Sequence, residues 1–225
     1  MNREAAPRRI QSSLLAAPEK KFLVHLASRM PAWIAPDHLT AIGVFGAAIV
    51  FAGYLLSHRD PGYLWLANLG LMVHWFGDSL DGTVARVRGQ ERARYGFFLD
   101  QTIDVVGNIL IMVGAGLSPY MRLDSALLSL TSYHALTIYS LIRNAVFNEY
   151  RISMAGFGPT EVRIILFAMN AGIFFAGAHT GFLGFERLTW CDSLLLACFF
   201  LMTMMFIVSF LSEARRLRDE PADRP

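Results

Sequence analysis

Asp78-Ser79-Leu80-Asp81-Gly82-Thr83-Val84-Ala85-Arg86, followed by Gly96-Phe97-Phe98-Leu99-Asp100-Gln101-Thr102-Ile103-Asp104, is the stretch that decides how this chain is read. It carries four carboxylates as two pairs, Asp78/Asp81 and Asp100/Asp104, and each pair adjoins a long apolar segment. Residues three or four apart share one face of a helix, so each pair presents two carboxylates to the same side. The connection between them is rich in arginine, with Arg86, Arg88, Arg92 and Arg94. Carboxylates at the edge of a membrane are costly unless something cationic holds them, and such residues mark functional sites by default.

The surrounding composition puts a membrane in the picture. Of the 225 residues, 54% are apolar and the mean hydropathy is +0.41. The apolar residues come in blocks of the length a bilayer requires. The formal net charge of +2 excludes neither an acidic nor a neutral partner. Cys191 and Cys198 both fall in the last apolar block, where a thiol behaves as a small buried hydrophobe. They form no Cys-x-x-Cys and no zinc pattern. Residues 1–20 contain charges and two prolines but no apolar core, so no signal peptide is expected there.

Taken in order, residues 1–17 read as poorly ordered. From Pro18 to Met30, Phe22, Leu23, Leu26 and Met30 recur at helical spacing opposite Lys20, Lys21, His25 and Arg29. That pattern predicts a short basic amphipathic helix on the membrane surface. Six spans follow: Leu39–Ser57, a second from Tyr63 into the first Asp pair, Gly96–Leu117, Ser125–Phe147, Glu161–Phe182 and Leu188–Leu211. The expected fold is all-α, a six-helix membrane bundle. It comprises an N-terminal segment (1–38), a transmembrane domain (39–212) and a tail (213–225). Small residues such as Gly43, Gly46, Gly53, Gly107 and Gly114 favour close helix packing.

Basic residues test that topology. An even number of spans leaves both termini on one side. Residues 1–38, 86–94, 143–163 and the tail hold six, four, three and four Lys or Arg, which is 17 of the 20. The opposite turns hold only Arg59, Arg122 and Arg187. The positive-inside rule makes the richer face cytoplasmic. Both Asp pairs adjoin it, so the site and both termini are expected in the cytoplasm, in a multi-pass protein of the cell (inner) membrane.

The residue types around the carboxylates point to phosphate chemistry. Gly82 removes a side chain beside Asp81, and Arg86 offers a planar fork suited to phosphate. Gly96 lies one turn before Asp100 on the same face. A single Asp pair is satisfied by a neighbouring arginine. Four converging carboxylates call for divalent metal, and Mg²⁺ commonly joins protein carboxylates to substrate phosphates.

The stretch resembles the signature of the CDP-alcohol phosphotransferase (CDP-alcohol phosphatidyltransferase) family, Asp-x2-Asp-Gly-x2-Ala-Arg followed by Gly-x3-Asp-x3-Asp. Every fixed residue is present, as Asp78, Asp81, Gly82, Ala85, Arg86, Gly96, Asp100 and Asp104. Nine residues separate Arg86 from Gly96 where the common pattern has eight. The six-span layout with a surface helix is similar too. The resemblance implies a CDP-linked donor at the cytoplasmic face, attack by an alcohol on the β-phosphorus, and departure of CMP. It implies that Asp78, Asp81, Asp100 and Asp104 bind two ions, Mg²⁺ or Mn²⁺, with Asp104 also the general base. Gly82, Ala85 and Arg86 would bind the nucleotide, and Thr40, in Pro36-Asp37-His38-Leu39-Thr40, would contact it. A homodimer is implied as well.

For the acceptor alcohol, Arg143 and Arg163 lie where relatives using phosphorylated acceptors place basic residues, although both also satisfy the positive-inside rule. His74, His134 and His179 share no spacing and read as packing or interfacial residues. The leading expectation is a phospholipid-synthesis transferase with CDP-diacylglycerol as donor. Two alternatives stand beside it: transfer from a water-soluble CDP-alcohol such as CDP-choline or CDP-ethanolamine to a lipid acceptor such as diacylglycerol, and a divalent-cation transporter. The transporter would need polar residues along several spans, and the spans are nearly free of them beyond the cytoplasmic end.

Overall fold

In the computed structural model the residues described are 8–10, 16–147, 149–151, 158–180 and 188–218. They form seven helices: α1 (Ala16–Arg29), α2 (Pro36–Leu56), α3 (Tyr63–Val87), α4 (Ala93–Gly116), α5 (Leu123–Phe147), α6 (Pro159–Ala176) and α7 (Trp190–Arg218). Two three-residue strands, β1 (Arg8–Ile10) and β2 (Glu149–Arg151), pair in parallel. This short pairing falls in segments whose sequence reads as unstructured, because three residues are too few to carry a strand pattern.

Four helices, α2, α4, α6 and α7, are long and apolar enough to cross a membrane. The other two long helices, α3 and α5, have 25 residues each and thus ample length. They carry the polar positions that dilute their apolar character, including His74, Asp78, Asp81 and Arg86 on α3 and Asp124 and Arg143 on α5. The boundaries agree with the sequence reading to within three residues, except that α7 runs on to Arg218, seven residues past the expected Leu211, and that α6 ends early. It stops at Ala176, where Gly177 takes φ +77°, six residues short of the expected Phe182.

Helices α2 and α3 pack against each other more tightly than any other pair, and glycine is the reason. A Cβ on Gly46 would overlap the backbone of His74, one on Gly77 that of Gly43, and one on Gly53 that of Ala67. With no side chains at these positions the two backbones touch. Around this pair lies a core of Val50, Tyr54, Leu71, Ile111, Ala115, Met169 and Cys191. Large apolar residues such as Phe45, Phe98, Phe200, Met204 and Val208 face outward, as a lipid-facing surface requires.

A second, smaller core seats α1. Leu23 and Ala27 pack with Leu39, Leu80 and Val84, while Phe22 stacks on Trp75 at 6.3 Å. Glu19 accepts hydrogen bonds from Trp75 Nε1 and Thr160 Oγ1, both at 2.7 Å, and so ties α1 to α3 and α6. The connection between the two Asp pairs is equally fixed. Gly89, at φ +63°, lets its N–H reach the Arg86 carbonyl (3.1 Å) and the Gln90 N–H reach the Ala85 carbonyl (2.9 Å). These two bonds make a Schellman motif that ends α3. Arg88 then donates to the carbonyls of Ile34 (2.6 Å), Met30 (3.0 Å) and Pro31 (2.9 Å), anchoring the turn to the start of α2. The nine residues between Arg86 and Gly96 thus run from the end of α3 through this anchored turn into the first turn of α4.

Candidate active site

Asp78 and Asp81 sit on α3, Asp100 and Asp104 on the facing α4. Asp78, Asp100 and Asp104 each bring a carboxylate oxygen within 4.8 Å of the other two. Two ionised carboxylates at that distance repel by about 3 kcal/mol at an effective dielectric constant near 20. Three such pairs cannot all stay ionised without compensation, by a proton or by a cation, and one cation is visible. Arg163, on the first turn of α6, donates from Nη2 to Asp78 Oδ2 at 2.5 Å. One guanidinium leaves a surplus of negative charge. The remaining donors are all oxygens, the set that Mg²⁺ and Mn²⁺ prefer, so the residues fit a divalent ion.

Asp81 has a different setting. Thr40 Oγ1, on α2, donates to its Oδ2 at 2.7 Å, and the Gly82 N–H points at its other oxygen. Asp81 nevertheless lines the same small cleft as Thr40, Gly43, His74, Asp78, Asp100 and Ile103. The structure therefore groups three of the four carboxylates directly and sets Asp81 on the adjoining wall with Thr40. Sequence spacing shows which face each pair occupies. It is silent on the neighbour across the helix interface, and Thr40 is 41 residues away.

The other expected residues are distributed around this centre. Gly82 leaves a space into which Arg86 folds: a Cβ there would lie 3.2 Å from Arg86 Nη1. Arg86 Nη2 also donates to Thr83 Oγ1 at 3.0 Å. Ala85 is half-buried on the same turn, and Gly96 borders open space. Arg92 donates from Nη2 to both oxygens of Asp37, at 2.7 and 2.8 Å, and its guanidinium also covers the Tyr95 ring. Both charges are exposed, and the carboxylate raises the Arg92 guanidinium further above its ordinary range. The two acceptor candidates part company. Arg163 reaches the carboxylates, whereas Arg143 joins α5 to α7 through a buried ion pair with Glu213 at 3.0 Å.

His74, which reads from sequence as a packing or interfacial residue, lines this cleft. It stands one turn before Asp78, and its Nε2 lies 3.3 Å from Arg163 Nη2. A lone histidine in an apolar span has no spacing signal. The one available hint is its position four residues before Asp78 on a shared face.

Comparison with known proteins resolves the class. The model of the family described as CDP-alcohol phosphatidyltransferase matches residues 33–210. The chain belongs to this family. Helices α2 to α6 and most of α7 fall inside the match, so the CDP-alcohol phosphatidyltransferase unit includes Asp78, Asp81, Asp100 and Asp104. Among its relatives, phosphatidylinositol phosphate synthase of Cutibacterium acnes is 36% identical over 86 residues, 38% of this chain and 39% of that protein. Archaetidylinositol phosphate synthase of Pyrococcus horikoshii is 29% identical over 131 residues, 58% of this chain and 62% of that protein. Cholinephosphotransferase 1 of Danio rerio is 29% identical over 108 residues, 45% of this chain and 28% of that protein. The aligned regions thus span less than two thirds of each of these relatives.

Proposed function

We propose that this CDP-alcohol phosphatidyltransferase family member is a phospholipid-synthesis enzyme. It transfers the phosphatidyl group of CDP-diacylglycerol to an alcohol that carries its own phosphate. The observation that carries this reading is the cluster of Asp78, Asp100 and Asp104 with the Arg163 guanidinium beside it. Acidic and basic groups converge there on one cleft, as a reaction between a diphosphate and a phosphorylated acceptor requires. The names of two relatives, both synthases of inositol phosphate lipids, support a phosphorylated polyol as acceptor.

In this reading Asp78, Asp81, Asp100 and Asp104 hold two divalent ions, which supply charge compensation for the diphosphate and the departing CMP. Asp104 takes the proton from the acceptor hydroxyl. The hydroxyl oxygen forms a bond to the β-phosphorus as the bond from that phosphorus to the bridging oxygen breaks, and CMP leaves with that oxygen. Gly82 and Ala85 leave room for the nucleotide, Arg86 unfolds from Gly82 towards its phosphates, and Thr40 contacts it while orienting Asp81. Arg163 receives the acceptor's phosphate. Arg143, engaged by Glu213, supports the α5–α7 wall.

The six helices α2 to α7 cross the membrane alternately, with α1 on the surface, the site and both termini on the cytoplasmic side of the cell membrane, and two copies forming a homodimer. The arginine distribution supports that orientation. To test the reaction, purified protein is given CDP-diacylglycerol with matched polyols, phosphorylated and not, and the lipid product is weighed by mass spectrometry. A product from the phosphorylated acceptor alone is expected. Conversion of CDP-choline and diacylglycerol to phosphatidylcholine instead would favour the arrangement named for the Danio rerio relative.

A further inference from the structure

The geometry points to His74 as the positioning residue for Arg163. The imidazole is 2% exposed and is bonded at both nitrogens. Its Nδ1 lies 3.0 Å from the Gly43 carbonyl, a group that only accepts, so Nδ1 carries the proton. Its Nε2 therefore presents a lone pair, and Arg163 Nη2, which only donates, lies 3.3 Å from it. The same Nη2 donates to Asp78 Oδ2. Both hydrogens of that nitrogen are thereby assigned, and two directions from one planar nitrogen fix the plane of the guanidinium.

The slot that holds the ring is built by glycines on two other helices. On α2, Gly46 lets the backbone meet that of His74, which brings the Gly43 carbonyl into range of Nδ1. On α4, a Cβ at Gly107 would lie 3.1 Å from His74 Cε1 and 3.4 Å from Nε2. A buried imidazole must satisfy both ring nitrogens in any role; what ties this one to the site is its donor, because the Arg163 Nη2 that meets it also holds Asp78. Here the α2 backbone sets the tautomer, the tautomer faces the acceptor nitrogen towards α6, and Arg163 is oriented across the cleft. This rests on the reading above that Arg163 receives the acceptor.

Three substitutions separate the two ends of the ring. His74→Gln extends an amide oxygen towards the position of Nε2 and restores an acceptor for Arg163. His74→Asn reaches only the position of Nδ1, so it keeps the Gly43 contact and leaves Arg163 held by Asp78 alone. Arg163→Gln removes the group that His74 positions. Purified variants are compared by acceptor KM, by kcat, and by Mn²⁺ affinity measured from its EPR signal without substrates. We expect His74→Asn to raise acceptor KM roughly tenfold, the usual effect of losing one hydrogen bond to a charged group. His74→Gln should stay within about threefold of wild type on the same scale. In the Arg163→Gln background His74→Asn should add nothing further, in acceptor KM or in Mn²⁺ affinity, because its effect passes through Arg163. Full additivity of the two substitutions in both measurements, or equal behaviour of His74→Gln and His74→Asn, would overturn the assignment. If Arg163→Gln leaves acceptor KM unchanged, the acceptor role of Arg163 fails. The positioning role is then judged from Mn²⁺ affinity alone, where non-additivity upholds it and additivity refutes it.

Discussion

Helices α2, α3 and α6 build two buried polar clusters in this protein, and the two obey opposite rules. One is the carboxylate site, with Thr40 on α2, His74, Asp78 and Asp81 on α3, and Arg163 on α6, completed by Asp100 and Asp104 on α4. The other lies deeper, about 15 Å further along α3 by the helical rise of 1.5 Å per residue. There Tyr54 donates its hydroxyl to Asn170 Oδ1 at 2.9 Å, Asn170 Nδ2 donates to Asn68 Oδ1 at 2.8 Å, and Asn68 Nδ2 reaches the Phe167 carbonyl at 3.4 Å. All three side chains are at most 1% exposed. The deep chain is neutral and its donors end on acceptors, so it needs nothing from outside. The site carries like charges facing a cleft, which its own residues do not fully balance. Polarity inside a membrane bundle thus has two meanings, and whether the charges are balanced from within tells them apart.

The largest effect should come from the charged cluster. Asp104→Asn should lower CMP release from CDP-diacylglycerol by roughly 10³-fold or more while the protein still extracts and runs as a single species. Undiminished turnover would remove Asp104 from the chemistry. Next, a chelator should abolish activity and added Mg²⁺ or Mn²⁺ restore it, with no change in the deep cluster's contribution to melting. Metal-independent turnover would contradict the assignment of the carboxylates.

Breaking the deep cluster should do the reverse. Asn170→Leu strands the Tyr54 hydroxyl and the Asn68 carboxamide. It should cost about 1–3 kcal/mol of stability, seen as a lower melting temperature in detergent, with kcat and both KM values near wild type. A selective loss of kcat with unchanged melting would show that the two clusters are not separate. The smallest effect belongs to Arg92→Gln, which removes an exposed ion pair with Asp37. Such pairs are worth at most ~1 kcal/mol and are screened by salt, so melting and kinetics should barely move. A large loss would place Asp37 in the site after all.

The difference between the clusters also explains what could be read in the sequence. The charged site announces itself, because Asp78 and Asp81 at spacing three, Asp100 and Asp104 at spacing four, and Gly82 and Gly96 in register form a pattern along the chain. Helix positions are equally legible from the apolar blocks, apart from the early end of α6 at Ala176 and the extension of α7 to Arg218, since an apolar run does not show where a backbone turns or where a helix continues on polar residues. The deep cluster was invisible. Tyr54, Asn68 and Asn170 are single polar residues in separate apolar spans, and their partners lie 102 and 116 positions away in the chain. His74 was missed for the same reason, and Arg163 could not be told from Arg143 until α6 was seen to carry it to Asp78. Periodicity reports faces, whereas contacts between faces depend on how glycines let the helices approach.

The central claim is that the carboxylate cleft joins a CDP-linked lipid to an alcohol. Its most direct test follows CMP and lipid product together, in one reaction of purified protein with CDP-diacylglycerol, Mg²⁺ and a phosphorylated polyol. Equimolar CMP and headgroup-bearing phospholipid are expected, both dependent on acceptor and metal and both absent with Asp104→Asn. CDP-diacylglycerol left intact, or hydrolysed to phosphatidic acid without acceptor, would contradict the claim.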